Sequence, residues 1–194
     1  HNSIVVDNIS YDNRDVENIG KSTMYDSECN QNYSFFQAKH TFYDGIEIKR
    51  NVIIIYDKGV FIHDLIFSDD EHDYSQMFQV GNNVDIEIMA NGSIIMESKV
   101  DNTSMNLHQI EDIISFEFDT GSLEPVRGWR SESFNQIDEI TTIAYFKSGD
   151  NTEFQTLIEL DDNILDIEIN YLEGAVSEYK FIDEKGEQIS VFVD

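Results

Sequence analysis

Carboxylates and an imidazole crowd residues 69–73 of the sequence. This stretch consists of Asp69, Asp70, Glu71, His72 and Asp73, and Tyr74 follows it directly. Oxygen ligands of this kind suit Ca²⁺ or Mg²⁺. The spacing is neither that of an EF-hand loop nor that of a His-Glu-x-x-His helix. A solvated loop is therefore the favoured interpretation and a calcium site the alternative, and no other cofactor is expected.

An acid on one strand followed by Glu-x-Lys on the next can hold Mg²⁺ in a nuclease. Two places fit this pattern: Asp85 with Glu97 and Lys99, and Asp166 with Glu178 and Lys180. A further Glu-x-Lys at Glu47 shows that the motif recurs by chance in so acidic a chain. A nuclease also needs a basic surface to hold its substrate. Gly-x-Ser-x-Gly and glycine-rich phosphate motifs do not occur. We therefore expect no enzyme, with a magnesium-dependent nuclease as the alternative.

Alternation of apolar and polar residues with period two predicts β strands through most of the chain. Strands over 46–56 and 60–67 flank a turn with Gly59, and strands over 84–90 and 93–100 flank Asn91-Gly92, a strong hairpin signal. Further alternating runs cover 139–146, 153–160, 164–171, 175–182 and 188–193. One short helix is expected where Ser104 precedes apolar residues Met105, Leu107, Ile110 and Ile113.

These elements predict a mainly β protein, an antiparallel β-sandwich or barrel built from hairpins, with one or two short helices. We expect a single β-rich domain over residues 1–194. A possible internal boundary lies near 120–135, where Gly, Pro, Trp and Arg residues gather.

Acids alternate with large apolar side chains within three of the predicted strands. These acids are Asp85, Glu87, Glu117, Asp119, Asp166 and Glu168. Alternate side chains point to opposite faces of a strand, so the apolar set should face a core and the acids should share an outer face. Like charges that lie opposite each other on neighbouring strands destabilise a sheet. The pattern therefore predicts a concentrated acidic face that serves binding.

The sequence carries 12 Lys and Arg against 39 Asp and Glu, which gives a net charge of -27. This balance excludes direct binding to nucleic acids or anionic membranes, because both are bound through neutralising cations. It predicts an inhibitor or immunity-type protein that occupies a basic surface of a nucleic-acid-handling protein, as nucleic-acid mimics of phage anti-defence systems do. The expected contact residues are the six in-strand acids together with Asp69, Asp70, Glu71, Asp73 and Tyr74.

The alternative function is recognition of a receptor or glycan by a secreted or virion-surface β-sandwich module, possibly stabilised by Ca²⁺. The sequence has one cysteine, Cys29, and no apolar leader at its start. These two features favour a cytoplasmic location, with secretion as the alternative if a leader was removed.

Overall fold

Antiparallel β strands make up nearly all of the regular structure in the computed structural model, which describes residues 2–11, 16–160 and 165–193. In chain order the strands are β1 (Ile4–Val6), β2 (Ser22–Cys29), β3 (Tyr33–His40), β4 (Ile46–Ile55), β5 (Gly59–Ser68), β6 (His72–Val80), β7 (Val84–Ile88), β8 (Ile94–Ser98), β9 (Ser104–Gln109), β10 (Ser115–Thr120), β11 (Ser122–Leu123), β12 (Val126–Arg127), β13 (Trp129–Arg130), β14 (Asp138–Glu139), β15 (Thr141–Gly149), β16 (Thr152–Leu160), β17 (Leu165–Leu172), β18 (Ala175–Asp183) and β19 (Gln188–Phe192). A 3₁₀ helix covers Val16–Asn18.

Three sheets hold the longer strands. The central sheet has eight strands in the order β2-β3-β4-β5-β16-β9-β8-β7, the four-stranded sheet has the order β1-β6-β15-β10, and the three-stranded sheet has the order β17-β18-β19. The short pairs β11-β12 and β13-β14 form separate hairpins. No helix within the described part of the chain has the length and apolar character that a membrane span requires.

The two faces of the central sheet pack against different partners. Along β4, Ile46 and Ile48 belong to a first core that also contains Tyr74 and Tyr145 of the four-stranded sheet. Ile53, from the opposite face of the same strand, belongs to a second core. Further members of the second core are Phe35, Ile55, Phe61, Leu157, Tyr179, Phe181 and Val191. Because neighbouring positions on a strand point to opposite faces, the central sheet is the middle layer of three.

The fold class predicted from the alternation is confirmed. The hairpins β4-β5 and β7-β8 form as expected, with Ile48 opposite Ile66 and Ile86 opposite Met96. The last three predicted strands form the three-stranded meander, although position 164 lies outside the described residues. The single-domain assignment stays a prediction.

Two local expectations are wrong. The segment after Ser104 is a strand and not a helix, because β9 pairs on both sides, with β16 and with β8, and these pairings override its weak helical spacing. The alternating runs over 139–146 and 153–160 do not form a hairpin. Strand β15 lies in the four-stranded sheet and β16 in the central sheet, so the chain crosses between layers at the intervening turn.

The segment over 120–135 folds back along β10. Arg127 lies within 3.3 Å of Glu117 and 3.6 Å of Asp119, and the indole N–H of Trp129 donates to the Ser122 carbonyl oxygen at 2.7 Å. Arg127 and the indole therefore serve as an internal clasp.

A buried ion pair links the central sheet to the four-stranded sheet. Arg50 of β4 donates through Nε and Nη2 to the two carboxylate oxygens of Asp64 on β5, at 2.6 and 2.7 Å, and Gln76 of β6 donates to Asp64 at 2.9 Å. Asp64 is fully buried. The largely buried guanidinium and the buried carboxylate therefore compensate each other.

We predict that Asp64→Ala lowers the free energy of unfolding by about 3–5 kcal/mol, because it leaves a largely buried guanidinium without its partner. Urea denaturation measures the effect. Glu168→Ala is the matched control, since it removes a carboxylate paired with Lys180 at the surface, and should cost at most about 1 kcal/mol. Equal losses in the two variants would contradict the assignment.

Candidate functional site

The in-strand acids lie on three different sheets. Asp85 and Glu87 are on β7 of the central sheet, Glu117 and Asp119 on β10 of the four-stranded sheet, and Asp166 and Glu168 on β17 of the three-stranded sheet. Cations pair with four of them: Lys99 with Asp85, Arg127 with Glu117 and Asp119, and Lys180 with Glu168. The expected alternation is present, but the prediction of one shared acidic face is wrong.

The acidic turn between β5 and β6 also differs from expectation. Tyr74 is only 1% exposed and belongs to the first core, so it cannot contact a partner. His72 and the backbone N–H of Asp73 both contact the carboxylate of Asp7, at 2.7 and 3.0 Å. No group of three or more metal-ligating side chains occurs within the described residues, and Asp69, Asp70 and Glu71 lie in or beside an exposed turn. Their role in binding a partner stays untested.

A row of buried polar side chains crosses the central sheet beside the second core. The strand register places Gln37 opposite Asn51, Asn51 opposite His63, and His63 opposite Gln155. All four side chains point to the face covered by the three-stranded sheet, because Phe35, Ile53, Phe61 and Leu157 precede or follow them by two positions on that face. Asn51 and His63 are completely buried.

The Asn51 cleft lies above one end of this row. It has a volume of about 660 Å³ and opens between the central sheet and the turn of the β17-β18 hairpin. Its lining includes Tyr25, Gln37, Lys49, Asn51, Phe67 and Tyr171. The three aromatic side chains are 40–50% exposed, so a bound molecule can reach their rings.

Two buried amide oxygens at this cleft lack hydrogen-bond partners within the described residues, namely Oε1 of Gln37 and Oδ1 of Asn51. Buried polar atoms are nearly always hydrogen-bonded, because leaving one unpaired costs about 1–3 kcal/mol. Two unpaired acceptors on directly paired residues therefore mark this cleft as a candidate place for hydrogen-bond donors that the described residues do not supply.

The other end of the row is a connected hydrogen-bond network. Tyr179 receives a hydrogen bond from Asn51 Nδ2 at 2.5 Å and contacts His63 Nδ1 at 2.8 Å. His63 Nε2 contacts Glu153 at 2.6 Å. Gln155 donates to both Glu153 and Glu111, at 3.1 and 3.0 Å. Lys147 donates to Glu111 at 2.8 Å and closes the network.

This network shifts the pKa values of its two carboxyl groups in opposite directions. The hydrogen bond from His63 lowers the pKa of Glu153 to about 2, against the opposing effect of burial. Burial and a hydrogen bond with Glu153 raise the pKa of Glu111. Burial also raises the pKa of Tyr171 to about 12, so its hydroxyl stays protonated and can donate to Glu153. Glu153 is thus the ionised acceptor of the network at neutral pH.

A second cleft, of about 450 Å³, lies on the opposite face of β3 and β4. It is lined by Tyr11, His40, Arg50 and Asp64 among others, and the imidazole of His40 stacks on Phe42 with ring centres 4.5 Å apart. Burial and the nearby Arg50 lower the pKa of His40. Arg50 and Asp64 already satisfy each other here, whereas the Asn51 cleft has unpaired acceptors, and we therefore take the Asn51 cleft as the candidate site.

The sequence matches the family described as "Heparinase II/III-like, C-terminal" over residues 1–168. The chain belongs to this family. Comparison with curated protein sequences gives no match. The family assignment agrees with the β architecture described above.

Solved structures of heparinases share the fold of this heparinase II/III-like chain. Heparan sulfate lyase HepC from Pedobacter heparinus superposes with a TM-score of 0.75 at 14% sequence identity, over 100% of this chain and 30% of that one. The heparinase III BT4657 gene product gives 0.76 at 13% identity over 100% and 30%. Another heparinase III structure gives 0.73 at 11% identity over 98% and 29%. The chain thus spans about 30% of the length of these structures.

Membership of the heparinase II/III-like family overturns two predictions. The chain is not a nucleic-acid mimic, an immunity protein or a phage anti-defence inhibitor, because its family and its structural neighbours are those of polysaccharide lyases. A basic, nucleic-acid-handling protein is for the same reason not the expected partner. The error came from interpreting a high net charge as one acidic binding surface, although the acidic side chains are distributed over several sheets.

Neither of the two buried amides of the Asn51 cleft, Gln37 and Asn51, was singled out from the sequence as a binding residue. A signal was present, because Asn51 and His63 directly adjoin the apolar runs Val52-Ile53-Ile54-Ile55 and Val60-Phe61-Ile62. Polar residues at inward strand positions are informative because burial demands a partner for each of them.

The low pKa of Glu153 makes the stability of the fold depend on acid. Its folded-state pKa of about 2 lies below the ordinary value of 4.5, so the carboxylate stabilises the fold above pH 4.5 and this contribution disappears as the pH falls toward 2. We predict that Glu153→Gln removes about 2–3 kcal/mol of stability at pH 7 and much less near pH 2. Urea denaturation across this pH range tests the prediction.

Glu168→Gln controls for the loss of one negative charge, because the carboxylate of Glu168 contacts Lys180 at the surface. A constant stability difference between wild type and Glu153→Gln at all pH values would contradict the proposed network.

Proposed function

We propose that this chain is the polysaccharide-binding β domain of a lyase of the heparinase II/III type, and that it binds the glycan in the Asn51 cleft. The two unpaired amide oxygens of Gln37 and Asn51 carry the proposal. A sugar unit offers several hydroxyl donors close together, which is what two adjacent buried acceptors require. The family match and the neighbouring heparinase structures support the choice of a polysaccharide.

Aromatic rings at the mouth of the cleft support the same ligand class. Tyr25 and Tyr171 are 45% and 50% exposed, and Phe67 is 40% exposed. Flat, partly exposed rings beside polar groups can contact the C–H faces of a sugar ring while the amides bind its hydroxyl edge.

Lys49 brings one positive charge to the lining of the cleft, which also carries the carboxylates of Glu153 and Glu173. Lys49 shares the carboxylate of Glu47 with Lys39, at 3.3 and 2.9 Å, and lies 5.0 Å from the ring centre of Phe67. Lys49 can therefore contact one carboxylate or sulfate of a glycan, but the cleft cannot match a continuous row of them.

In this proposal the chain contributes binding, and the step that breaks the glycosidic bond belongs to groups outside it. The expectation that the chain is not itself an enzyme is kept as part of the proposal. The cytoplasmic location expected from the sequence stays a prediction.

We predict that the chain binds a heparan sulfate tetrasaccharide, and that Phe67→Ala and Lys49→Met each weaken binding about five- to tenfold, the effect of losing one aromatic or charged contact. Isothermal titration calorimetry measures the dissociation constant. Raising the salt from about 50 to 500 mM should weaken binding of the wild type, but hardly that of Lys49→Met, since Lys49 supplies the charged contact.

Phe134→Ala and Lys180→Met are the matched controls. Phe134 is 92% exposed, and neither residue lines the cleft. The controls should bind as the wild type does. Failure of the wild type to bind, or equal weakening in all four variants, would contradict the proposal.

A further inference from the structure

We propose that a relay of Glu153, His63 and Tyr179 holds the Asn51 amide in one orientation, with its oxygen toward the cleft, so that the bound sugar must present hydroxyl donors and not a sulfate or carboxylate at this point. The inference rests on the proposed function for its ligand and on the hydrogen-bond geometry for the relay. His63 and Tyr179 act in it as positioning residues, because they contact Asn51 or each other and not the ligand.

Glu153 sets the donor-to-acceptor direction of the hydrogen bonds in the relay. This carboxylate is ionised at neutral pH and can only accept, so His63 Nε2, 2.6 Å from Glu153 Oε2, must carry a proton. In the proposed relay the other ring nitrogen, Nδ1, carries no proton and is an acceptor. The group that reaches it is the hydroxyl of Tyr179, at 2.8 Å, so this hydroxyl donates to Nδ1.

The hydroxyl group of Tyr179 then fixes the orientation of the Asn51 amide. Once the tyrosine proton is directed at His63, the phenol oxygen can only accept from Asn51. The amide must therefore turn its NH₂ group to Tyr179, where Nδ2 lies 2.5 Å from the phenol oxygen. The carbonyl oxygen Oδ1 then points away from the relay, and it is the atom without a partner within the described residues.

The relay is well fixed within the protein. His63 and Tyr179 are both completely buried, and burial raises the pKa of Tyr179, which keeps its hydroxyl protonated. The imidazole also meets the Tyr179 ring edge-on, with ring centres 5.7 Å apart. Neither ring can therefore rotate freely, and the amide orientation is set before a ligand arrives.

Chemical selectivity follows from this fixed orientation. Gln37 lies directly across from Asn51 in the strand register, and its Oε1 is the second unpaired acceptor. Two acceptors repel the oxygens of a sulfate or carboxylate, which carry no proton at neutral pH. The hydroxyl edge of a sugar unit supplies the protons that both oxygens lack.

Tyr179→Phe tests the relay, and Tyr145→Phe is its matched control. Both tyrosines are completely buried, and the hydroxyl of Tyr145 donates to the Gly92 carbonyl oxygen at 2.9 Å in the first core, away from the Asn51 cleft. Tyr145→Phe loses one buried hydroxyl hydrogen bond and Tyr179→Phe loses two, so both should melt below the wild type, Tyr179→Phe by more. Only Tyr179→Phe removes the acceptor that holds the Asn51 amide.

We expect the side-chain NH₂ signals of Asn51 to be protected from solvent exchange in the ¹⁵N-labelled wild type and in Tyr145→Phe. In Tyr179→Phe this protection should fall at least about tenfold.

With a heparan sulfate tetrasaccharide as the probe, binding should weaken about tenfold in Tyr179→Phe and remain unchanged in Tyr145→Phe. In Lys49→Met, which removes the cationic contact of the cleft, free inorganic sulfate should leave the Asn51 signals unshifted.

The relay is overturned if the Asn51 NH₂ group is equally protected from solvent exchange in the wild type and in Tyr179→Phe. It is also overturned if the two tyrosine variants bind the tetrasaccharide equally well. A sulfate-induced shift of the Asn51 signals in Lys49→Met overturns the selectivity. If the wild type binds no tetrasaccharide, the proposed function and the ligand assignment fail together. In that case the NH₂ exchange of Asn51, which needs no ligand, still decides whether the relay exists.

Discussion

Burial of both faces of the central sheet is the constraint on which the rest of this structure depends. An antiparallel sheet with one solvent-exposed face can direct its polar side chains to water, but where both faces of a strand are covered by other layers this is not possible. A buried polar side chain on β3, β4 or β5 must therefore find its partner inside the protein. Asp64 accepts from Gln76 of the four-stranded sheet on one face, and Asn51 donates to Tyr179 of the three-stranded sheet on the other. These two pairings tie each outer sheet to the middle one.

The extent to which the sequence predicts this fold depends on how many faces of a strand are buried. Strands β7 and β17 have one buried face, and their strict alternation of acids with Ile residues predicts both the strand and its inward side correctly. Along β4, Ile46 and Ile48 serve the first core whereas Ile53 and Ile55 serve the second, and periodicity alone does not reveal this third layer. Nor does it show that β15 and β16, consecutive in the chain, belong to different sheets.

The candidate site was less predictable than the fold, because its groups meet only through layer packing. Asn51 and His63 are separated from Tyr179 by 128 and 116 positions in the sequence. Their inward placement within apolar strands shows that they need partners, but it does not identify those partners. The in-strand acids had the opposite difficulty. Their outward direction was predictable, but whether three strands share one surface depends on sheet membership, which alternation does not encode.

The net charge of -27 is compatible with a polysaccharide ligand only if binding is local. At physiological ionic strength charges are screened beyond about 8 Å, so the distant acidic edges act weakly on a glycan held in the Asn51 cleft. The charge is also uneven: residues 1–50 carry 8 acids and 5 bases, whereas residues 151–194 carry 12 acids and 2 bases. Lys49 lies in the less acidic part and lines the cleft together with Glu153 and Glu173. An acidic glycan is repelled by most of this surface and finds a cation at the cleft in Lys49, so binding there depends on this one charged contact and on hydrogen bonds to the amide oxygens.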